Sequence, residues 1–402
     1  HMDGDEEILS LKEAGIQYEA DDFRNALSGL TEGNLWERAA KRYKFNTTWG
    51  IHPEWDRDAL KRRLHAGWEK ERFGEPVNAV RSISGDMVRY LPEHTAFRID
   101  WTVLEDRFSA AVPGDFSPVQ AGPYPRIKIE LPLTLHAPEV TVKSLQAEGI
   151  EQKIMEFSTS LGASGPGRVH NITSAAQAVN GMILKPGDEF NYAEVVKKAQ
   201  KLYGFEKAPV IVGGRLEPGI GGGICQVSST LYNAVLLTGL EVTERLNHSL
   251  PVDYVPKGLD ATFAEGYINF RFRNNTGKYL LIHSEVQGRT LTLKLFGTFP
   301  KNTAYSLESK IVQSIPAPLK YTLDSSLDYD NHRIIQKGKP GFIVETYRTK
   351  RVDGKVVKRD KISRDIYRGQ STIIGMNPSD GTLPRSQDMP KAPIIEDGIS
   401  IR

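Results

Sequence analysis

The apolar positions of this chain change period several times, and each change marks a change of element. From Leu9 to about Leu64 they fall at helical spacing, as in Leu60, Leu64 and Trp68, with breaks near Asn46 and Pro53; this predicts a mostly helical start. Between Pro76 and Val112 the segments shorten. RSISGDMVRYL reads as a hairpin around Gly85-Asp86, and IDWTVLEDRFSAAV as a helix begun near Asp100. Strict alternation at Ile127, Ile129, Leu131, Leu133 and Leu135 predicts an extended strand leading out of this small α+β unit.

A second body begins near Ile150 and ends near Phe299. It opens with IEQKIMEF, read as helical, crosses the Gly/Ser-rich SLGASGPGR, and enters a helix over NITSAAQAVNGM with Ser and Thr placed to cap it. Pro186-Gly187 turns the chain. YINFRFRNNTGKYLLIHSEVQGRTLTLKLFG then reads as three strands with turns at Asn275-Thr276-Gly277 and Gln287-Gly288. A third body, about Tyr305 to Pro378, looks all-β, with a hairpin around Asp353-Gly354. The remainder, with Pro384, Pro390 and Pro393, reads as a flexible tail. The expected fold class is α+β multidomain. A mostly helical or α+β domain spans residues 3–145, and an α+β domain with a cysteine at a helix N-terminus on an antiparallel sheet spans 146–300. A small all-β domain over 301–380 and the tail over 381–402 complete it.

Charge changes this picture little. With 52 basic and 50 acidic residues there is no global field to recruit nucleic acid, which is not an expected partner. No run of 18 apolar residues occurs, so no membrane span or export signal lies within the chain. The opening His1-Met2 reads as the remnant of a cleaved tag. The expectation is therefore an exported extracellular or cell-wall protein whose signal or lipid anchor preceded Asp3.

One cysteine in 402 residues excludes an internal disulfide framework and a multi-cysteine metal site. HExxH, EF-hand and GxSxG patterns are absent, and neither a metal nor a cofactor is expected. Cys225 follows Gly221-Gly222-Gly223 and opens a helix carrying Leu231, Val235 and Leu236 that ends at Gly239. Unpaired N–H groups and the positive dipole end favour a thiolate there, and the same N–H groups suit an oxyanion hole. Downstream, His248 is the candidate base and Asp260, in GLDATF, the residue that fixes its tautomer; each is expected on or near a strand. Gly222, Gly223, Gln226, Ser228, Arg245 and Ser249 are the substrate-binding candidates around them. The plain alternatives are a buried structural thiol, a histidine bonded to its neighbours, and an aspartate that forms a turn.

FSTSLGASGPGRVHNITSAAQAVNGMILKPGDEFNY, GGRLEPGIGGGICQVSSTLYNAVLLTGLEVTERLNHSLPVDYVPKGLDATF and FRFRNNTGKYLLI together closely resemble the VanW family, over about Glu151 to Gly297. EPVNAVRSISGDMVRYLPEHTAFRIDWTVLEDRF resembles the peptidoglycan-binding domain that often precedes it. Gly338, Gly341, Gly354 and Gly375 resemble a five-glycine domain, departing from its pattern around Asn331-His332. The resemblance implies a cysteine L,D-transpeptidase. Cys225 would take the acyl group of a peptidoglycan stem peptide as a thioester and pass it to an amine of a neighbouring stem, forming a 3-3 cross-link. Flanking domains would hold glycan strands. Two alternatives stay open: the same thioester given to water, as in a carboxypeptidase, and a wall-binding scaffold with an inert Cys225.

Overall fold

The computed structural model describes residues 6–47, 49, 52–112, 126–386 and 394–399. The chain divides into two compact units, residues 1–80 with 91–142 and residues 81–90 with 143–402.

In the first unit, helices Asp21–Gly29, Leu35–Tyr43, Arg57–Arg63, Ala66–Phe73 and Trp101–Ala111 accompany two short strand pairs. Ile16–Glu19 pairs with His52–Trp55, and Ala96–Ile99 with Leu133–His136. The start is thus less helical than its spacing predicts. Asp100 caps the last of these helices by accepting from the Val103 N–H at 3.1 Å, as expected from an N-cap aspartate. The predicted strand over 127–135 forms a ladder only at Leu133–His136. Ile129 and Leu131 instead pack on the small core of Leu60, Leu64, Ile99 and Leu104, so alternation there records packing without a pairing partner.

The second unit is built on a six-stranded sheet. Its order is Val80–Ser84, Met87–Leu91, Gln152–Ser160, Thr290–Gly297, Leu280–Gln287, Met182–Leu184. The Gly85-Asp86 hairpin joins this sheet through Met87 opposite Gln152, which is why residues 81–90 group with it rather than with the unit around them. IEQKIMEF, expected helical, is a strand. Its partner register skips from Met155 to Lys153, a bulge at Ile154 that lets the adjacent Ile154 and Met155 both pack on the core. Two neighbouring apolar residues on one face imitate helical spacing. The following helix, Pro166–Val179, starts earlier than expected, with Gly165 as N-cap and Pro166 in its first turn. Thr173 and Ser174 are interior to it rather than caps.

Residues Thr303–Ile315, Gly341–Val352 and Lys355–Tyr367 form one antiparallel sheet. Leu319–Leu323, Thr372–Met376 and His332–Gln336 form another, in which the first two strands run parallel. The tail expected over 381–402 is corrected in part. Residues 387–393, with Pro390 and Pro393, and 400–402 lie outside the described residues. Between them, Ile395 and Glu396 pair with Val212 and Ile211, and Glu396 and Asp397 are buried. A proline-rich approach gave no hint that the next few residues find a sheet edge.

Candidate active site

The helix Ile224–Thr238 packs on the strands Gln152–Ser160 and Thr290–Gly297, beside the helix Pro166–Val179, and every residue in it except Leu237 is buried. A helix apolar on one stripe would suit a surface; this one is enclosed, so its polar residues must bond internally. Thr230 and Thr238 bond back to the carbonyls of Gln226 and Ala234, each at 2.6 Å. At its end Gly239 adopts φ 78°, and a Cβ there would meet the Tyr305 ring. Gly223 caps the start with φ 110°, against Arg168, while a Cβ on Gly222 would overlap the Pro209 carbonyl. Glycine at both positions is therefore a packing requirement.

Cys225 sits in the first helical turn with no exposed surface. Its Sγ accepts from the Phe263 N–H at 3.0 Å and lies 3.5 Å from the Phe263 carbonyl, and its own N–H donates to Asp397 Oδ1 at 2.7 Å. The expectation of a lowered thiol pKa is overturned. Burial pushes the Cys225 thiol well above its ordinary range, and the Asp397 carboxylate adds to this; the Phe263 N–H only partly offsets them. The helix end is present, but its dipole already serves Asp397.

His248 and Asp260 meet. Asp260 Oδ2 accepts from the His248 backbone N–H and pairs with His248 Nδ1, both at 2.7 Å, and both residues are fully buried. They stand on irregular chain between the strands Glu241–Glu244 and Arg271–Arg273, so His248 is not on a strand as expected. Burial works against ionising Asp260, but His248, Arg245 and Tyr367 outweigh it and hold its pKa at about 2. Burial likewise disfavours the imidazolium, yet the Asp260 partner raises His248 above its ordinary value. His248 Nε2 has no hydrogen-bond partner. The Cys225 and His248 ends are joined by the segment 260–263: Ala261 bonds Ser228 and Ser229 of the helix, and Phe263 holds the sulfur.

The remaining candidates are placed as supports. Gln226 bonds Thr159 at 3.1 Å and Ser160 at 2.9 Å, and Ser228 bonds the Cys225 and Ala261 carbonyls. Arg245 was expected to bind substrate. It is instead buried over the Tyr232 ring at 5.0 Å, donating to the Asp260 carbonyl at 2.6 Å and to Asp365 at 2.5 Å. Ser249 donates its N–H to Glu396 at 2.8 Å and leaves its hydroxyl unpartnered. Four residues of the site escaped the sequence reading. Tyr367 and Asp365 reach Asp260 and Arg245 from the all-β part, with Tyr367 donating its hydroxyl to Asp260 Oδ1. Arg168 and Asp397 pair at 3.1 Å beside Cys225. Arg168 carried a weak signal, as a lone cation after a glycine-rich loop; Asp397 carried none.

The fold and site define an α+β protein whose buried thiol and His–Asp pair share one supporting segment. Residues 167–296 match the family described as VanW like protein, and residues 307–374 match the G5 domain. The chain is 33% identical over 248 residues to the uncharacterized protein YoaR of Bacillus subtilis, covering 62% of this chain and 78% of that one. It is 28% identical over 153 residues to the vancomycin B-type resistance protein VanW of Enterococcus faecalis, covering 37% of this chain and 56% of that one. The chain belongs to the VanW-like family. Two solved structures are also similar: the G5 domain of HP0197 at 27% identity (18% of this chain, 97% of that one, TM-score 0.14), and the G5 domain of IgA1 protease at 23% (19% and 88%, TM-score 0.16).

Proposed function

We propose that this protein is a cysteine-dependent acyltransferase acting on peptidoglycan stem peptides, an L,D-transpeptidase that forms 3-3 cross-links. The observation that carries the reading is the His248–Asp260 pair, buried and bonded through Nδ1 while Nε2 is left without a partner. A buried nitrogen without a partner is costly unless a reaction uses it. Asp260 fixes the ring so that Nε2 is the nitrogen offered to a proton.

In the reaction, the Cys225 sulfur attacks the carbonyl of the L,D bond and His248 Nε2 takes the thiol proton. The carbonyl reforms as a thioester, and the terminal D-alanine leaves with the proton from His248. An amine of a second stem then attacks the thioester; His248 takes its proton and returns it to the departing sulfur. Asp260, Cys225 and His248 are the catalytic set, with Gly222 and Gly223 bringing backbone close to the acyl group. Gln226 and Ser228 brace the Cys225 helix, and Arg245 braces Asp260. The G5-like part, and the first unit with its resemblance to a peptidoglycan-binding domain, serve to hold wall polymer and raise local substrate concentration. The place of action is the cell wall, outside the membrane; among the described residues no helix is long and apolar enough to cross one.

Incubation with tetrapeptide muropeptides, read by mass, tests the reading. Cross-linked dimers lost in Cys225→Ala are expected. Trimmed monomers without dimers would turn it into a carboxypeptidase, and no product with fully functional Cys225→Ala protein would leave a wall-binding scaffold.

A further inference from the structure

Residues 394–399 lie across the Cys225 site as a two-residue strand, Ile395–Glu396, followed by a bend at Asp397 and isolated bridges at Gly398 and Ile399. Ile395 and Glu396 pair antiparallel with Val212 and Ile211; Ile399 bridges to Ile220, and Gly398 to Ala264. The fit is close: a Cβ on Gly398 would strike Val210 and the Ile220 carbonyl, and a Cβ on Gly221 would touch Gly398. Two carboxylates pin the segment. Glu396 accepts from the Ser249 N–H at 2.8 Å, and Asp397 accepts from the Cys225 N–H at 2.7 Å while pairing with Arg168 at 3.1 Å. Asp397 also donates its N–H to the Phe263 carbonyl at 3.2 Å and holds φ 59°, a left-handed backbone that aims its side chain at the helix end.

Asp397 Oδ1 thus occupies the place at the nucleophile's own N–H where the oxyanion of a tetrahedral intermediate would sit. Three buried polar atoms on residues 248–262 lack partners: His248 Nε2, Ser249 Oγ and Thr262 Oγ1. So many unpaired atoms in one short stretch are a mark of a site that expects a ligand. Arg168 stands over the Tyr254 ring at 5.9 Å, on the same side.

We infer that residues 394–399 are a resident strap in the substrate groove, standing where an extended acyl-donor peptide binds, with Asp397 in the oxyanion seat and Arg168 as the cation that serves that seat. The strap must withdraw before Cys225 is acylated. This rests on the acyltransferase reading for its identity of substrate, but the occupancy is a property of the thiol alone. The donor class follows from the pairing the strap makes: a peptide in extended form, adding a strand to the edge of Lys207–Val212 that Ile395 and Glu396 now cover.

Cys225 is the chain's single thiol, so its alkylation by iodoacetamide reports the strap directly. A chain ending at residue 386, and Asp397→Ala in the full chain, are each expected to react at least about tenfold faster than the intact protein. The synthetic peptide IIEDGI should return the shortened chain to the slow rate, and IIEAGI should not. Equal rates in a shortened chain with native near-ultraviolet circular dichroism would overturn the strap, as would acceleration that IIEDGI fails to reverse. Should the shortened chain unfold, Asp397→Ala decides: no acceleration there overturns it. Alkylation needs no acyl transfer. A fast-reacting Asp397→Ala protein that makes no dimers therefore supports the strap while sinking the transpeptidase reading, and dimers from a chain with unchanged alkylation do the reverse.

Discussion

The two ends of the site are held in different ways. His248 and Asp260 are enclosed by groups from distant parts of the chain: Arg245 and Gly258 nearby, Tyr367 and Asp365 from the all-β sheet. Cys225 is closed by a short segment that pairs through two residues at one sheet edge. The His248–Asp260 end is braced by groups spread over several elements, whereas the Cys225 end is covered by one short segment held by two strand pairs and two carboxylates, Glu396 on the Ser249 N–H and Asp397 on the Cys225 N–H and Arg168. One continuous segment can leave as a unit, while a network drawn from several elements cannot.

The comparison breaks first at chemistry. Cys225→Ala is expected to abolish muropeptide cross-linking while leaving the melting temperature within a few degrees, because the smaller side chain loses one sulfur contact. Asp260→Ala should cost both functions of the base end. It leaves the His248 backbone N–H, His248 Nδ1 and the Tyr367 hydroxyl without their shared carboxylate in the interior, expected to destabilise by about 3–5 kcal/mol in chemical denaturation. Asp260→Asn keeps the shape but loses the tautomer lock, for a rate loss on the order of 10²- to 10⁴-fold. Tyr367→Phe removes the hydroxyl that bonds Asp260 and accepts from the Gly258 N–H; a loss of about 1–3 kcal/mol in the same measurement is expected.

Acid sharpens the contrast. Asp260 has a folded pKa of about 2, below its unfolded value near 4. Its contribution is therefore present above pH ~4 and lost as pH falls toward ~2; Asp260→Asn should flatten that part of the stability profile. His248 has the opposite sign. Its folded pKa is raised, so its charged-form contribution is complete below about pH 6.5 and fades as pH rises through the folded value. Smallest of all, Val357→Thr on the exposed hairpin should change stability by no more than about 0.5 kcal/mol.

Local chemistry was legible where one segment determines it. The Cys225 helix between its glycines, the Asp100 cap, the Asp353-Gly354 hairpin and the three strands after Arg271 all follow from turn residues and periodicity. The Cys225, His248 and Asp260 candidates were found the same way, from residue type and order. Misreadings came where a distant partner decides. IEQKIMEF is a strand because Thr290–Gly297 pairs with it and a bulge hides its alternation.

By itself, then, the amino-acid order determined which residues were candidates for the chemistry and which glycines punctuate the helix that opens at Cys225. Only the tertiary structure decided that the thiol is buried and its pKa raised, that Arg245 braces Asp260 rather than meeting a substrate, and that Asp397, 172 residues beyond Cys225, takes the Cys225 N–H. The reason is physical. Desolvation and ion pairing depend on what surrounds a group in space, and the sequence neighbours of Cys225 contain neither Asp397 nor Arg168.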